Sequence, residues 1–364
     1  MSNAEKHIFK ALDAARGVAA LAVTCYHTID HRWLPSGFLA VDFFFALSGF
    51  VLASAYQSRL LSGELGVMNF MRIRLIRLYP LYVLGLVLCL LANLPMFPWS
   101  AFALAGKLPF AFAMLPAPTF DFRAPLYPFM IPAWSLFFEL VANFGFALFC
   151  RPLRKPLVRW LVIGVCALSM VLQIKVFGIV ESGVGWGDAL FGVGRVTLFF
   201  VLGLHVHDWY VQRVASGHGA LHPTWVTTLA LAALLACMWT PPGGLLQIMV
   251  PLLVMPLLML TLASASLGAG AVSLALHRLG MMSFALYAIH WSVITLYERV
   301  LLLNKIPLDH WPWASPGLIA VSLAVAWAAE RWYDLPARRL LVRLAERVRM
   351  LARRKARTNP AASP

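Results

Sequence analysis

The sequence predicts an all-α integral membrane protein with about ten transmembrane helices and with both termini in the cytoplasm. Of its 364 residues, 61% are hydrophobic and 12% are charged, and the mean hydropathy is +0.78. Soluble domains are about 45–50% apolar and about 25% charged. The composition therefore excludes an ordinary soluble domain, and it is equally unlike that of a disordered chain.

The apolar residues form runs that are long enough for membrane spans, since a helix needs about 20 of them to cross the hydrocarbon core. The predicted spans are 14–31, 38–57, 75–94, 129–150, 157–175, 189–208, 224–240, 246–264, 280–303 and 315–333. A weaker run over 100–115 contains Lys107 and Pro109, which indicates a short re-entrant or interfacial helix. The polar N-terminal segment continues directly into the first span, and no small-residue cleavage site follows. We therefore expect a retained helix and not a signal peptide.

The positions of lysine and arginine predict the orientation. The net charge is +15, and a cytoplasmic N terminus places 19 of the 30 basic residues in inside segments and 4 in outside segments. Nine of the 19 follow residue 334. We expect a membrane core over 1–337 and a basic cytoplasmic tail over 338–364 that lies on anionic lipid. Nucleic-acid binding, the alternative for this tail, has no aromatic or groove-reading partner here.

Ionisable groups within the spans are the first candidates for function, because a charge in the bilayer is costly unless it faces a cavity or a partner. Arg16 and His27 are eleven residues apart, which places them on one face of the first helix and about 16 Å apart along it. Asp13 and Asp30 extend this stripe by one turn on either side. The alternative is a snorkelling arginine together with a structural histidine.

Three further spans, the second, the sixth and the tenth, each carry a charged residue. Asp42 lies among aromatic residues in VDFFFALSGF, where Ser48 and Gly49 form a notch that allows close helix packing. A packing motif with Asp42 near the outer interface is the alternative. Arg195 in the sixth span and Glu330 near the inner end of the tenth complete the set.

The third span begins with several arginines, in the sequence MRIRLIRLYPLY. Arg74 and Arg77 lie one turn apart at its cytoplasmic end, and Arg72 precedes them. Guanidinium groups suit phosphate recognition, although positive-inside anchoring also explains them. We expect Pro80 in the first turn of this helix, where proline is tolerated.

The fourth and ninth spans each hold a polar group near the middle of the membrane. Glu139 lies about one turn after Trp134 and Ser135, and His290 lies one turn after Tyr287. A buried glutamate is costly unless it is paired or protonated. A histidine with a carboxylate partner can act as a general base on a hydroxyl, or can accept an acyl group itself. A structural hydrogen-bond network is the alternative for His290.

Five segments in order resemble the acyltransferase 3 family of integral membrane acyltransferases. They are LDAARGVAALAVTCYH, VDFFFALSGF, RLIRLYPLY, PAWSLFFEL and LGMMSFALYAIH. The last helix of the family often carries Glu followed by Pro and Arg, here Glu330, Pro336 and Arg338. The resemblance covers about 13–339, with mild departures at Ala40 and Phe284, where the family often has Gly and Tyr.

The resemblance implies a ten-helix core in the plasma membrane (the cytoplasmic or inner membrane of bacteria). Such a core transfers an acyl group, commonly acetyl, from cytoplasmic acyl-CoA to a hydroxyl of a cell-envelope glycan or another acceptor. The implied activity is O-acetylation, as in polysaccharide modification. The expected partners are acyl-CoA, the acceptor and lipid, without nucleic acid. We expect no metal, because the five cysteines show no zinc-ligand spacing.

The resemblance also implies roles for individual residues. His27 is the implied base or acyl carrier, oriented by Asp30 or Glu139. We assign CoA binding to the arginines Arg16, Arg72, Arg74 and Arg77. The expected supporting residues are Asp13, Asp42, Trp134, Ser135, Tyr287, His290 and Arg195. A transporter or exporter of an anionic or lipid-linked solute is the alternative function, because buried charges are normal there as well. The two halves of the sequence, however, show no repeat of the kind common in transporters.

Overall fold

The computed structural model describes residues 9–28, 34–93, 101–178, 181–217, 222–240, 246–305 and 314–358. Within these ranges the chain is helical, with two isolated β-bridges and no strand. The helices are α1 (Lys10–Tyr26), α2 (Leu39–Leu61), α3 (Val67–Asn93), α4 (Ala101–Phe112), α5 (Ala133–Leu148), α6 (Pro156–Phe177), α7 (Ala189–Ala215), α8 (Thr224–Met238), α9 (Leu246–Met249), α10 (Met255–Ala263), α11 (Ala271–Leu303), α12 (Ala314–Ala328) and α13 (Leu335–Thr358). π-Helical turns join α9 to α10 and α12 to α13.

The described helices confirm an all-α membrane protein. Five of them, α2, α3, α6, α7 and α11, are long and apolar enough to cross a membrane. Shorter apolar helices lie at Ala133–Leu148, Thr224–Met238 and Gln247–Ala263. The weak run over 100–115 contains the short helix α4, as the sequence predicts. The count of ten crossings and the cytoplasmic position of both termini stay predictions from the sequence.

The helix α3 differs from its prediction at its start. It begins at Val67, so Arg72, Arg74 and Arg77 lie inside the helix, and Pro80 lies in its interior and not in the first turn. Hydropathy marks only where the apolar part begins, whereas arginine is itself a good helix former and extends the helix beyond that part. An interior proline is tolerated in membrane helices because neighbouring helices can satisfy the backbone group that it frees.

Glycines bring α2 and α7 into backbone contact. A Cβ atom on Gly203 would lie 1.9 Å from the carbonyl oxygen of Ala46, and one on Gly49 would lie 2.1 Å from that of Phe200. These distances are far below van der Waals contact, so only glycine permits this approach. The small-residue notch predicted at Gly49 is therefore a contact between α2 and α7.

The helix α11 organises the site, because α1, α3 and α12 all pack against it. A Cβ atom on Gly280 would lie 2.4 Å from the carbonyl oxygen of Asp13, and one on Gly85 would lie 2.7 Å from that of Ala288. The helices α1 and α3 thus touch α11 directly. Their polar side chains must then face α11 or the spaces beside it.

We expect Gly203→Ala to destabilise the folded protein, because the added methyl group must push α2 and α7 apart. Overpacking of this kind costs about 1–3 kcal/mol. Gly164→Ala in α6 is the matched control, since nothing lies within 4 Å of a Cβ atom there, and helix propensity favours alanine by about 1 kcal/mol. The measurement is the thermal midpoint of the monodisperse protein in detergent. Equal midpoints for the two variants would contradict this packing.

Candidate active site

Two cavities lie side by side in the helix bundle. The larger, of about 120 Å³, is lined by Arg16, Arg74 and Arg77 together with Glu139 and apolar side chains, and we name it the arginine cavity. Its lining also includes Tyr287.

The smaller cavity, of about 50 Å³, is lined by His27, Trp134, Glu181 and Arg195 among others, and we name it the histidine cavity. Tyr287 lines this cavity as well, as does Val41, which also lines the arginine cavity. The two cavities are therefore neighbours with a shared wall.

The stripe predicted on α1 faces α11. Arg16 donates from Nε to Ser283 Oγ at 2.8 Å and from Nη2 to the carbonyl oxygen of Gly280 at 2.9 Å. Asp13 pairs with Arg16 at 3.2 Å, as the spacing predicts. The ring of His27 stacks on that of His290, with the centroids 5.3 Å apart and the planes 22° apart. Arg16 and His27 thus use one face of α1, each at its own cavity.

The buried glutamate of α5 pairs with an arginine of α3. Arg74 Nη2 donates to Glu139 Oε1 at 2.7 Å, and Ser48 Oγ donates to the same oxygen at 3.1 Å. Arg74 is only 8% exposed, so the pair is largely removed from solvent. These contacts place Glu139 on the arginine cavity, whereas His27 lines the other one. Asp30, the second expected partner of His27, lies outside the described residues.

The three neighbouring arginines of α3 differ in their surroundings. Arg77 lines the arginine cavity, and no acidic group of the described residues lies within 4 Å of it. Arg72 lines neither of the two cavities. Of the α3 arginines that line the arginine cavity, Arg77 is therefore the one without a direct ion pair, and Glu330 and Asp334 act on its charge from beyond 4 Å.

Asp42 and Arg195 form a buried, two-pronged ion pair between α2 and α7. Arg195 Nε lies 2.6 Å from Asp42 Oδ1, and Nη2 lies 3.1 Å from Oδ2. Nη2 also donates to the carbonyl oxygen of Phe38 at 3.3 Å. Both charged side chains are fully buried. The guanidinium carbon lies 5.6 Å and 5.8 Å from the ring centroids of Phe38 and Trp134, within cation–π range.

His290 is fully buried on α11. Its Nδ1 lies 2.6 Å from the carbonyl oxygen of Tyr287. A carbonyl only accepts, so this contact assigns the proton to Nδ1 and leaves Nε2 as an acceptor in the neutral ring. Nε2 has no hydrogen-bond partner among the described residues. His27 therefore stacks against an imidazole whose tautomer is fixed by the backbone.

The hydroxyl of Tyr287 is held in place at the shared wall. Ser135 Oγ donates to the carbonyl oxygen of Pro132 at 2.8 Å, and Ser135 and Tyr287 are also hydrogen-bonded. Serine has one proton to give, so Tyr287 donates to Ser135. The sequence places each of these residues one turn from an ionisable group, but it does not show that they bond to each other.

The structure adds one acidic residue that the sequence analysis did not single out. Tyr26 donates from its hydroxyl to Glu181 Oε2 at 3.1 Å, and Glu181 lines the histidine cavity. It lies in the loop before α7, outside every predicted span. A glutamate in a loop carries no burial signal, so only its placement beside His27 and Arg195 identifies it.

Helices long and apolar enough to cross a membrane, packed around a cavity lined by arginines and a neighbouring cavity lined by a histidine, define an integral membrane protein with polar cavities inside its helix bundle. The model of the acyltransferase 3 family, described as an acyltransferase domain, matches residues 9–331, and the chain belongs to this family. The resemblance noted in the sequence is therefore confirmed.

Two curated proteins show how far the similarity extends. "Protein 2 in picA locus" of Rhizobium radiobacter is 39% identical over 190 residues, which cover 48% of this chain and 97% of that protein. "Acyltransferase MdmB" of Streptomyces mycarofaciens is 28% identical over 353 residues, which cover 87% of each chain. No solved structure matches the chain significantly. The family and the second relative support membrane acyltransferase activity.

Proposed function

We propose that the protein transfers an acyl group from cytoplasmic acyl-CoA to a hydroxyl of a cell-envelope glycan or another acceptor, and that this acyl group is acetyl. We place it in the plasma membrane. The observation that carries this proposal is the shared wall at Tyr287 between the arginine cavity and the histidine cavity. A long, anionic donor can bind in the first and present its thioester to the second.

The charges of the arginine cavity favour a phosphate-bearing donor. Asp13 partly compensates Arg16, and Glu139 compensates Arg74. Arg77 has no direct ion pair among the described side chains, and the carboxylates of Glu330 and Asp334 act on it only from beyond 4 Å. A guanidinium at a cavity that makes no direct ion pair has its donors free for phosphate. We therefore assign the CoA phosphates first to Arg77, with Arg16 beside it.

The histidine cavity suits the chemical step. His27 takes the proton of the acceptor hydroxyl while the hydroxyl oxygen bonds to the thioester carbonyl carbon. The carbon–sulfur bond then breaks, and the CoA thiolate leaves with the proton from His27. Alternatively, a ring nitrogen of His27 bonds to the thioester carbonyl carbon and CoA leaves as the thiolate; the acceptor oxygen then takes the acyl group as the nitrogen–carbon bond breaks, and its proton passes to the thiolate. Intact mass spectrometry of acid-quenched protein separates the two, because only the second course forms an acyl-enzyme.

We assign the acceptor end of the histidine cavity to Glu181, whose carboxylate can accept hydrogen bonds from hydroxyl groups. Glu181→Gln should lower transfer to the acceptor about tenfold, the effect of one hydrogen bond to a charged group. Hydrolysis of acetyl-CoA by water should be unchanged, because the donor site is intact. Tyr26→Phe is the control, since it removes the hydrogen bond to Glu181 and keeps the carboxylate. Equal losses of transfer and hydrolysis would reject this assignment.

The proposed function is tested with the purified full chain in nanodiscs. Acetyl-CoA should be consumed with release of free CoA thiol, and envelope glycans from cells that carry the gene should contain an acyl mass that deletion removes. Accumulation of a solute in sealed vesicles without any release of thiol would instead identify a transporter. Longer acyl-CoA donors in the same assay define the accepted chain length.

A further inference from the structure

We infer that Arg195 is a catalytic residue whose Nη1 donates a hydrogen bond to the carbonyl oxygen of the acyl group. This inference rests on the proposed function, because it takes the thioester of an acyl-CoA as its ligand. It gives the buried pair of Asp42 and Arg195 a role beyond joining α2 to α7.

The hydrogen bonds of Arg195 leave one nitrogen for a ligand. Nε and Nη2 both donate to Asp42, and Nη2 also donates to Phe38. Nη1 is buried and has no hydrogen-bond partner among the described residues. An unpaired buried donor costs about 1–3 kcal/mol, and more when it is charged. Such a group in a well-paired guanidinium points to an oxygen supplied by a substrate.

The location of Arg195 fits a reacting carbonyl. It lines the histidine cavity together with His27, the residue proposed to take the proton. Asp42 accepts hydrogen bonds from one edge of the Arg195 guanidinium, and the ring centroids of Phe38 and Trp134 lie within 6 Å of the guanidinium carbon. The donor is therefore held rigidly before any substrate binds. Preorganised donors in sites shielded from water are the most effective at stabilising developing charge.

The net charge of the Asp42–Arg195 pair differs from that of Arg77 in the arginine cavity. Asp42 neutralises Arg195, so the pair attracts a free anion less than Arg77 does. A neutral carbonyl binds to Nη1 weakly, whereas an oxygen that becomes negative binds strongly. That difference accelerates the reaction, because only interactions that strengthen in the transition state do so. In this account Asp42 is a positioning residue.

The acyl-transfer step uses His27 and Arg195 together. The acceptor oxygen bonds to the carbonyl carbon as its proton passes to His27, and the carbonyl π electrons move to the oxygen at Arg195 Nη1. The electrons return as the carbon–sulfur bond breaks. The CoA thiolate then takes the proton from His27, and the acylated acceptor leaves.

The test compares two inert CoA analogues that differ in the group facing Arg195. S-Ethyl-CoA has no carbonyl, whereas a trifluoromethyl ketone analogue of acetyl-CoA adds water across its carbonyl to give a tetrahedral gem-diol, whose acidic hydroxyl resembles the oxyanion of the intermediate. The wild-type chain should bind the ketone more tightly than the thioether. Arg195→Lys keeps the charge but loses the guanidinium fork, and should reduce this preference about a hundredfold. Its Kd for the thioether should stay within about twofold of the wild type.

Arg159→Lys is the matched control. Arg159 is also buried, pairs with Asp208 at 2.5 Å and donates to the carbonyl oxygen of Leu204 at 3.2 Å, but it lines neither cavity. Its substitution should leave the ketone preference unchanged. Loss of the preference in Arg195→Lys alone supports the inference, and an unchanged preference overturns it. If the wild type binds neither analogue, the acyl-CoA donor itself is wrong. Binding of both without preference rejects only the role of Arg195.

A second measurement applies if Arg195→Lys does not fold. In the His27→Ala variant, acetyl-CoA labelled with ¹³C at the carbonyl stays intact when bound, and its carbonyl stretch can be read by difference infrared spectroscopy. A hydrogen bond from Arg195 should shift the stretch to lower frequency than that of the same molecule in an apolar solvent. A stretch at the apolar value would overturn the inference.

Discussion

His27→Ala should lower acyl transfer by about 10²–10⁴-fold, the range expected when a general base is removed. The imidazole is the group at the histidine cavity to which we assign the acceptor proton, and alanine cannot replace it. Acyl-CoA binding should persist, since the phosphates are assigned to the arginine cavity. The measurement is transfer of labelled acetyl from acetyl-CoA in membranes, alongside the Kd for acetyl-CoA.

The control for this variant is His277→Ala. His277 lies on α11, the helix against which His27 packs, but it lines neither cavity. Its substitution should leave transfer near the wild-type rate. Full transfer by His27→Ala would remove the catalytic assignment, whichever of the two courses (direct transfer or acyl-histidine) the reaction follows.

Arg77→Ala should weaken acetyl-CoA binding about 10–100-fold, since a hydrogen-bonded charge pair is worth about 1.5–3 kcal/mol. Arg72→Ala is the matched control, five residues away on α3 and outside both cavities. Arg74→Ala is a poorer test, because it leaves Glu139 as an uncompensated buried charge, which costs about 3–5 kcal/mol in itself.

The binding measurement can also identify the contacted phosphate. Isothermal titration with acetyl-CoA and with its analogue lacking the 3′-phosphate gives two affinities for each variant. If Arg77 binds the 3′-phosphate, the two donors should bind Arg77→Ala equally, whereas the wild type should distinguish them. If Arg77 binds the pyrophosphate, both donors should weaken in parallel. Equal affinities of Arg77→Ala and Arg72→Ala for acetyl-CoA would contradict the phosphate site altogether.

Much of the site follows from helix geometry. The period of the α-helix predicts that Arg16 and His27 share a face and that Asp13 reaches Arg16, and the structure shows both. These relations lie within one helix, so spacing alone determines them. The apolar runs likewise predict the all-α membrane fold, because only helices and closed barrels satisfy the backbone within lipid.

Contacts between helices could not be read in this way. The sequence shows Asp42 and Arg195 as isolated charges 153 residues apart, and packing of α2 against α7 makes them partners. Glu139 was a candidate partner of His27, yet the structure pairs it with Arg74. Which of several acids meets which base depends on helix rotation and order in the bundle, and single-helix periodicity contains neither.

The hydropathy pattern also does not predict where a helix begins or which loop residues reach the site. The third helix starts eight residues before its predicted span, which places Pro80 in its interior. Glu181 lies in a loop, where an acid is unremarkable until folding brings it to the cavity of His27. The surroundings of Pro80 and of Glu181 are set by tertiary packing, and the polarity of the neighbouring sequence does not indicate them.

The central claim is that the donor binds in the arginine cavity and reacts in the histidine cavity. The most direct measurement is an electron cryomicroscopy structure of the His27→Ala protein with acetyl-CoA. We predict phosphate density beside Arg77, the pantetheine arm passing Tyr287, and the thioester carbonyl about 3 Å from Arg195 Nη1. A nucleotide bound in the histidine cavity, or a thioester that stops short of Tyr287, would contradict it.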